Sequence, residues 1–135
     1  MIIAGGGNMN VKEINVLVLA YLGDTIYENY IRKHFINLGI SHVKDLQEKV
    51  IPYVSAKGQA YFLEKLMENN VFIDDELSVI RRARNSKTNS HPKSCDILTY
   101  KHATALEAVI GYLDLINRRD RIEEIINCLL EVELC

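Results

Sequence analysis

The sequence has few of the residues that mark specialised protein classes. Only two prolines and seven glycines occur among 135 residues, and three of the glycines are consecutive at positions 5 to 7. Collagen-like, mucin-like and low-complexity classes are therefore excluded. Three cysteines occur without a C-x-x-C pair, which indicates neither a zinc knuckle nor a disulfide framework and is consistent with a reducing compartment.

Long apolar runs are also missing. The longest, Val16 to Leu22, has seven residues, far below the ~20 that a membrane-spanning helix requires. The N-terminus has neither the basic start nor the long apolar stretch of a secretory signal. We therefore expect a cytoplasmic protein with no membrane partner, composed of a flexible arm at residues 1–10 and one domain at residues 11–135.

Apolar residues recur along the chain with the period of an α-helix. Between Val11 and Phe35 they follow the i, i+3, i+4 spacing, which predicts one long, deeply buried helix. Ser41 and Ser55 are suitable N-caps for the next two helices, the first ending near Val50 before Pro52. Further helices are predicted at residues 76–85, at 99–117 with Thr99 as its cap, and at 121–134.

One alternative stays open for the segment VLVLAYL, residues 16–22. It is rich enough in valine and leucine to form a buried strand with Gly23 and Asp24 as its turn. No other segment has comparable strand character, and a lone strand has no partner to pair with. The predicted class is all-α.

Two acidic residues interrupt apolar helical segments. Asp24 follows Gly23 in the first long helix, and Glu107 lies among small and apolar residues in the sequence ATALEAVIGYL. A carboxylate in apolar surroundings costs several kcal/mol unless it is paired, hydrogen-bonded or bound to a cation. Taken singly, Asp24 is also consistent with an N-cap of a helix that begins at Thr25, and Glu107 with a buried ion pair to an arginine.

Small residues flank both acids and would let their helices pack closely enough to bring the carboxylates together. These residues are Gly23, Ala103, Ala108 and Gly111. Mg²⁺ prefers hard oxygen ligands and needs only one or two carboxylates when water and phosphate complete its octahedron. The pair therefore indicates a phosphoryl-transfer site.

The region from Arg81 to Lys101 is strongly basic, although the whole chain has a net charge of −2. It contains six basic residues and one acidic residue, a local net charge of +5. Its loop, rich in Ser, Asn, Thr and Lys, offers the ammonium, guanidinium and amide donors that bind phosphates. The region predicts a nucleic-acid surface, with a merely solvated loop as the alternative.

Four segments resemble, in the same order and at fitting separations, the catalytic domain of the ribonuclease III family, specifically its short branch, Mini-ribonuclease III. They are LAYLGDTIYENYIR (19–32), VSAKGQA (54–60), RRARNSK (81–87) and TALEAVIGYL (104–113). The resemblance implies a helical-bundle endonuclease domain at residues 11–135 that forms a homodimer. It implies Mg²⁺-dependent hydrolysis of double-stranded RNA, with Mn²⁺ as a substitute ion, to 5′-phosphate and 3′-hydroxyl products. Asp24 and Glu107 match the family's catalytic, metal-binding aspartate and glutamate.

The resemblance also implies contacts with RNA through the basic helix end and the loop after it. The residues expected to bind RNA are Lys57, Gln59, Arg81, Arg82, Arg84, Asn85, Lys87 and Lys93. Since the family's role is maturation of the 23S ribosomal RNA precursor, the expected partners are a precursor stem, a second copy of the chain and an accessory ribosomal protein. The apolar face of the first helix, Val16 to Ile31, is the expected dimer contact.

The sequence departs from the pattern of longer family members, which have acidic residues at the positions of Leu17, Ala20 and Thr104. Fewer carboxylates imply that water, backbone or phosphate oxygens complete the metal shell. No double-stranded-RNA-binding domain is predicted after the last segment. Affinity is therefore expected to come from the catalytic domain through phosphate contacts and to depend strongly on salt.

Two other functions remain as alternatives. The first is a non-catalytic RNA-binding or ribosome-assembly module on the same fold, which the reduced number of carboxylates would suit. The second is a helical nucleotide pyrophosphatase, which needs pairs of acids that face inward. The acidic runs at 74–76 and 123–124 are predicted to face solvent instead.

Overall fold

The computed structural model describes residues 10–87, 92–93 and 95–134. These residues form a 3₁₀ turn at Val11–Glu13 and the helices α1 (Val16–Asn37), α2 (Val43–Val54), α3 (Ala56–Glu68), α4 (Asp74–Arg84), α5 (Ile97–Leu115) and α6 (Arg119–Leu130). No strand occurs among the described residues, so the all-α prediction is confirmed. The strand alternative for residues 16–22 is wrong, because this segment lies within α1.

The helix α5 is the centre of the bundle. Every residue from Ala103 to Leu113 is buried except Glu107, which is partly buried. A helix that is apolar on all sides is stable only when neighbours cover it. The helices α1, α3 and α4 pack against α5, α6 contacts it, and α2 packs on α1 and α3.

The helix α1 buries only one of its faces. The buried residues follow the predicted helical spacing and are Val16, Leu19, Ala20, Gly23, Tyr27, Ile31 and Phe35. This face packs on α5 of the same chain, so the expected dimer contact along the apolar face from Val16 to Ile31 is corrected. Leu17, Val18 and Tyr21 stay exposed on the other side of the helix.

Two helices begin where an unforeseen side chain caps them. The Asn15 side chain accepts a hydrogen bond from the N–H of Leu17 at 2.8 Å, so α1 starts at Val16 rather than Val11. Asp96, and not Thr99, caps α5, because its carboxylate accepts the N–H of Thr99 at 2.7 Å. In both helices, a short amide or acidic side chain supplies the cap that the helical spacing alone did not identify.

The α2–α3 junction shows one wrong cap and one correct one. His42 rather than Ser41 precedes α2, and the helix continues through Pro52 to its end at Val54. Ser55 caps α3 as predicted, since its hydroxyl oxygen accepts the N–H of Gly58 at 3.1 Å.

A buried ion pair holds α6 to the start of α4. Glu76 is completely buried, and its Oε2 accepts from Nε of Arg121 at 2.7 Å while its Oε1 accepts from Nη2 at 2.9 Å. The N–H of Ile73 also donates to Oε1 at 3.1 Å. The expectation that the run 74–76 faces solvent is therefore wrong for Glu76, because a partner 45 residues away compensates its charge.

The flexible arm expected at residues 1–10 is almost entirely outside the part of the chain that the structure describes. Of these residues only Asn10 is described, and its side chain accepts the N–H of Lys12 at 3.0 Å. Across the described helices, none combines the length and the hydropathy that a membrane crossing needs.

Candidate active site

The helices α1 and α5 cross with their backbones in contact. A Cβ atom on Gly23 would lie 1.7 Å from the carbonyl oxygen of Glu107, and one on Gly111 would lie 2.0 Å from that of Leu19. Both distances are shorter than any real Cβ contact, so only glycine permits this approach. The close packing expected from the small residues is found at this crossing.

The crossing brings Asp24 and Glu107 together. Asp24 is exposed at the edge of the crossing, next to Gly23, and Glu107 is mostly buried on α5. The Asp24 side chain is close enough to act on Glu107 both as a hydrogen-bond partner and as a like charge. The expectation of apolar surroundings therefore holds for Glu107 and is wrong for Asp24.

The two alternative explanations of these acids do not hold. Asp24 lies in the middle of α1, far from either end, so it does not cap a helix. The charged neighbours that act on Glu107 are both acidic, Asp24 and Glu28, and no arginine is paired with it among the described residues. Glu28 itself pairs with Arg32 at 2.9 Å.

The protonation of Glu107 follows from this environment. Burial, together with the neighbouring Asp24, raises the pKa of Glu107 to about 9, although the hydrogen bond from Gln59 opposes the increase. Without a cation, the carboxyl group therefore carries a proton at neutral pH and can donate it in a hydrogen bond to Asp24.

Gln59 belongs to this site rather than to the surface. Its side chain is 2% exposed, and its Nε2 donates to Oε2 of Glu107 at 3.3 Å. The structure places this amide beside Glu107, and the expected contact of Gln59 with RNA stays a prediction. The sequence held a signal for this position: Gln59 precedes the core residues Leu63 and Leu66 by four and seven residues, so it shares their helix face.

Tyr27 ties α1 to the end of α2 beside the site. Its ring is fully buried and its hydroxyl donates to the carbonyl oxygen of Tyr53 at 2.7 Å. The Tyr53 ring stacks on Phe62 of α3, with ring centroids 5.0 Å apart. Burial, and then the proximity of Tyr53 and Glu107, raises the pKa of Tyr27, so its hydroxyl stays a neutral donor. Helical spacing alone places Tyr27 on the buried face of α1 and does not predict its hydrogen bond.

The carboxylate pair fits a hard divalent cation. Asp24 and Glu107 offer oxygen ligands and repel each other, so a cation between them relieves a cost that the metal-free protein meets by protonating Glu107. Within the described ranges, no three His, Cys, Asp or Glu side chains come close enough to hold a metal. Two carboxylates suit an ion such as Mg²⁺, which keeps several of its waters.

Half of the expected RNA-binding residues lie in a separate basic groove. Its volume is about 580 Å³, and it is lined by Asn15, Val16, Leu17, Ser78, Arg81, Arg82, Asn85, Ser86 and Lys87. None of these described lining residues is acidic. Arg82 is partly engaged within the chain, because its Nη2 donates to the carbonyl oxygen of Ile14 at 2.5 Å.

The other expected RNA-binding residues are more dispersed. Arg84 and Lys93 are exposed at the end of α4 and in the loop that follows. Lys57 lines a different groove of about 570 Å³, between α3 and α5, together with Asp96 and His102. The structure therefore brings Arg81, Arg82, Asn85 and Lys87 together and does not bring Lys57 to them.

The basic groove and Asp24 share one side of α1. Leu17 lines the groove, and Asp24 follows it by seven residues, which is two helical turns. Residues with this spacing lie on the same face, about 10 Å apart along the helix axis. Phosphate-binding groups and the carboxylate pair are thus placed along one line of the surface.

Taken together, the observations define an all-α helical bundle with a pair of carboxylates whose oxygens are suited to a hard cation. Comparison with known proteins gives the family. The Ribonuclease III domain family matches residues 17–117. Mini-ribonuclease 3 of Staphylococcus aureus is 38% identical over 123 residues, covering 91% of this chain and 92% of that protein. Mini-ribonuclease 3 of Brevibacillus brevis is 46% identical over 112 residues, covering 83% and 82%.

A solved structure agrees with these sequence relatives. A crystal structure of a Fusobacterium nucleatum protein superposes with a TM-score of 0.81 at 33% identity, covering 92% of this chain and 100% of that one. The chain therefore belongs to the ribonuclease III family, in its Mini-ribonuclease 3 branch. The resemblance found in the four sequence segments is confirmed.

Proposed function

We propose that this protein is an endoribonuclease that hydrolyses double-stranded RNA with Mg²⁺ held by Asp24 and Glu107. The observation that carries the proposal is the convergence of these two carboxylates where α1 and α5 cross. Family membership supports the same reaction class. Mn²⁺ has similar ligand preferences and is proposed as a substitute ion.

The residues of the chain have distinct tasks in this reaction. When bound, Mg²⁺ supplies a Lewis acid for the phosphate and lowers the pKa of a coordinated water. Asp24, at the exposed edge, and Glu107, mostly buried, would hold the cation through their carboxylate oxygens. To do so, Glu107 gives up the proton that it carries in the cation-free protein. Tyr27 and Gln59 are neutral hydrogen-bond donors beside the site: Tyr27 connects α1 to the end of α2, and Gln59 connects α3 to Glu107 on α5.

RNA affinity is proposed to come from the basic groove and its surroundings. Arg81, Arg82 and Lys87 supply positive charge, and Asn85 supplies an amide. Arg84, Lys93 and Lys57 are exposed and extend the set of phosphate-binding groups. Since the groove lies about 10 Å along α1 from Asp24, one RNA backbone can contact both.

A homodimer is proposed through the exposed apolar side of α1. Val18 and Tyr21 lie there, next to Leu17 at the border of the basic groove, and the Tyr21 side chain is 83% exposed. An exposed cluster of large apolar side chains is typical of a protein interface. Tyr21 and Asp24 lie on the same face of the helix, so this contact would set two sites near each other, one for each RNA strand.

The proposed substrate is a stem of the 23S ribosomal RNA precursor, presented with an accessory ribosomal protein. The test is cleavage of an end-labelled precursor stem with Mg²⁺ or Mn²⁺ by the parent and by Asp24→Asn and Glu107→Gln variants. Matched controls are Asp45→Asn and Glu48→Gln, which change exposed acids on α2. We expect discrete cuts by the parent and both controls, and loss of cleavage with retained RNA binding in the two site variants.

Other outcomes would change the assignment. RNA binding without cleavage by the parent with either ion would support the non-catalytic module, which is consistent with the lack of a third clustered ligand among the described residues. Equal cleavage of an unrelated duplex would leave a nuclease without preference for the 23S precursor. Cleavage that does not respond to added ribosomal protein would remove the accessory partner.

A further inference from the structure

Gln59 reaches the carboxylate pair because the α2–α3 junction is unusually tight. A Cβ atom on Gly58 would lie 2.0 Å from the carbonyl oxygen of Pro52, so the start of α3 touches the end of α2. The Ser55 cap then fixes the first turn of α3 through the N–H of Gly58. The next residue, Gln59, is buried and points to α5, where its Nε2 donates to Oε2 of Glu107.

Glu107 has few other groups that determine its orientation. The residues adjacent to it in sequence, Leu106 and Ala108, are apolar, and Asp24 is an exposed side chain on the opposite helix. The Gln59 amide is covered by protein, so any movement of Glu107 away from it leaves a buried donor without a partner. An unsatisfied buried donor is unfavourable, which opposes that movement.

We propose that Gln59 is a positioning residue whose amide holds the Glu107 carboxyl group toward Asp24, in the orientation that receives the divalent cation. A neutral donor suits this task better than lysine or arginine would. A cationic side chain would neutralise Glu107 and compete with the metal, whereas the amide restrains one oxygen without adding charge. The inference rests on the proposed function, since it assumes that Asp24 and Glu107 bind a cation.

The test replaces Gln59 with methionine, which keeps the length of the side chain and removes the donor. The matched control is Gln47→Met, which makes the same change at the other glutamine of the chain, exposed on α2. Three quantities are measured on full-length protein: the midpoint of thermal unfolding, Mn²⁺ affinity by electron paramagnetic resonance without RNA, and kcat and KM for cleavage.

We expect Gln59→Met to weaken Mn²⁺ binding and lower kcat, each by about 10-fold or more, with KM for RNA within about twofold of the parent. Gln47→Met should leave all three quantities unchanged. If Gln59→Met does not fold, Gln59→Asn retains an amide that is one methylene too short, and the same losses are expected from it.

The opposite results would overturn the inference in distinguishable ways. Parental Mn²⁺ affinity and kcat in Gln59→Met would show that Glu107 is oriented without the amide, while cleavage by the parent would still support the nuclease. A raised KM with unchanged kcat would return Gln59 to an RNA contact. If the parent binds Mn²⁺ but cuts no RNA, the proposed function fails while the binding measurement still decides the role of Gln59.

Discussion

At the scale of single residues, Glu107 links cation binding to pH and stability. Its carboxyl group is held in a place where the charged form is unfavourable, because burial and the neighbouring Asp24 both act against it. A protein that bound no ligand here would be more stable with a neutral side chain. The proposed cation would offset this cost, which gives the acid at this position a physical reason.

The stability of the cation-free protein should fall as pH rises. The folded-state pKa of Glu107 is about 9, above its ordinary value of 4.5, so between these values the folded state holds a proton that the unfolded chain releases. The stabilisation of the folded state by this proton is complete below the lower pKa and is lost as the pH rises toward the higher one. The free energy of unfolding falls by up to about 1.4 kcal/mol per pH unit over this range. Glu107→Gln cannot titrate and should remove this contribution to the slope.

The measurement is urea unfolding in EDTA at several values between pH 6 and 8.5. The control is Glu64→Gln, which removes an exposed acid on α3 and should keep the parental slope. If the free energy of unfolding changes with pH in the same way for the parent and for Glu107→Gln, Glu107 is already ionised in the folded protein.

At the scale of helices, the glycine crossing of α1 and α5 supports both the core and the site. Gly23→Ala would place a methyl group against the backbone carbonyl of Glu107, where no side-chain movement can relieve the overlap. We expect a loss of about 3 kcal/mol or more, because the two helices must separate along their contact. Lys33→Ala, at an exposed position of the same helix, should change stability by less than about 0.5 kcal/mol.

Chemical unfolding of both variants checks this prediction. The cation affinity of Gly23→Ala should fall together with its stability, since separated helices also separate Asp24 from Glu107. If Gly23→Ala has the same free energy of unfolding as the parent, α1 and α5 can shift relative to each other and accommodate the methyl group without loss of stability.

The α4–α6 contact depends on one ion pair. Arg121→Met would leave the buried Glu76 carboxylate without its partner and should cost about 3–5 kcal/mol. Arg118→Met breaks the exposed pair with Asp120 nearby and should lower stability far less, because water screens the attraction between these two charges. Thermal or urea unfolding compares the two, and equal losses would show that Glu76 is satisfied without Arg121.

At the scale of the whole molecule, the exposed apolar side of α1 should decide the oligomeric state. Tyr21→Asp places a charge in the proposed contact and should convert a dimer into a monomer, as sedimentation velocity at micromolar concentration would show. Ile36→Asp, an exposed apolar position near the other end of α1, is the control and should stay dimeric. A monomeric parent would contradict the proposed contact.

The separation of the basic groove from the carboxylates should divide binding from catalysis. Arg81→Met with Lys87→Met should weaken RNA binding and make the salt dependence of log Kd less steep, by about 1 for each phosphate that is no longer neutralised. Lys44→Met on α2 is the control for the removal of an exposed charge. Fluorescence anisotropy in EDTA measures RNA binding without cleavage. If the slope of log Kd against log salt concentration is the same in the double variant as in the parent, the RNA does not bind in the basic groove.

The sequence by itself determined the helical class and the residues of interest. Helical spacing and caps such as Ser55 act within a few residues, so they can be interpreted locally. Asp24 and Glu107 stood out because each interrupts an apolar helical segment, and the four family-like segments placed both in a known pattern. Helix ends were less certain, since Asn15 and Asp96 competed with other suitable caps nearby.

Only the tertiary structure decided which of these residues meet. The hydrogen bond from Gln59 to Glu107 joins residues 48 apart, and the Glu76–Arg121 pair joins residues 45 apart. Such contacts depend on where helices cross and how closely glycine lets them approach, which no local preference specifies. The same packing decided that α5 would cover one apolar face of α1 and leave Tyr21 exposed. Local chemistry therefore selected the candidates, and long-range packing assigned each of them to the core, the site or the surface.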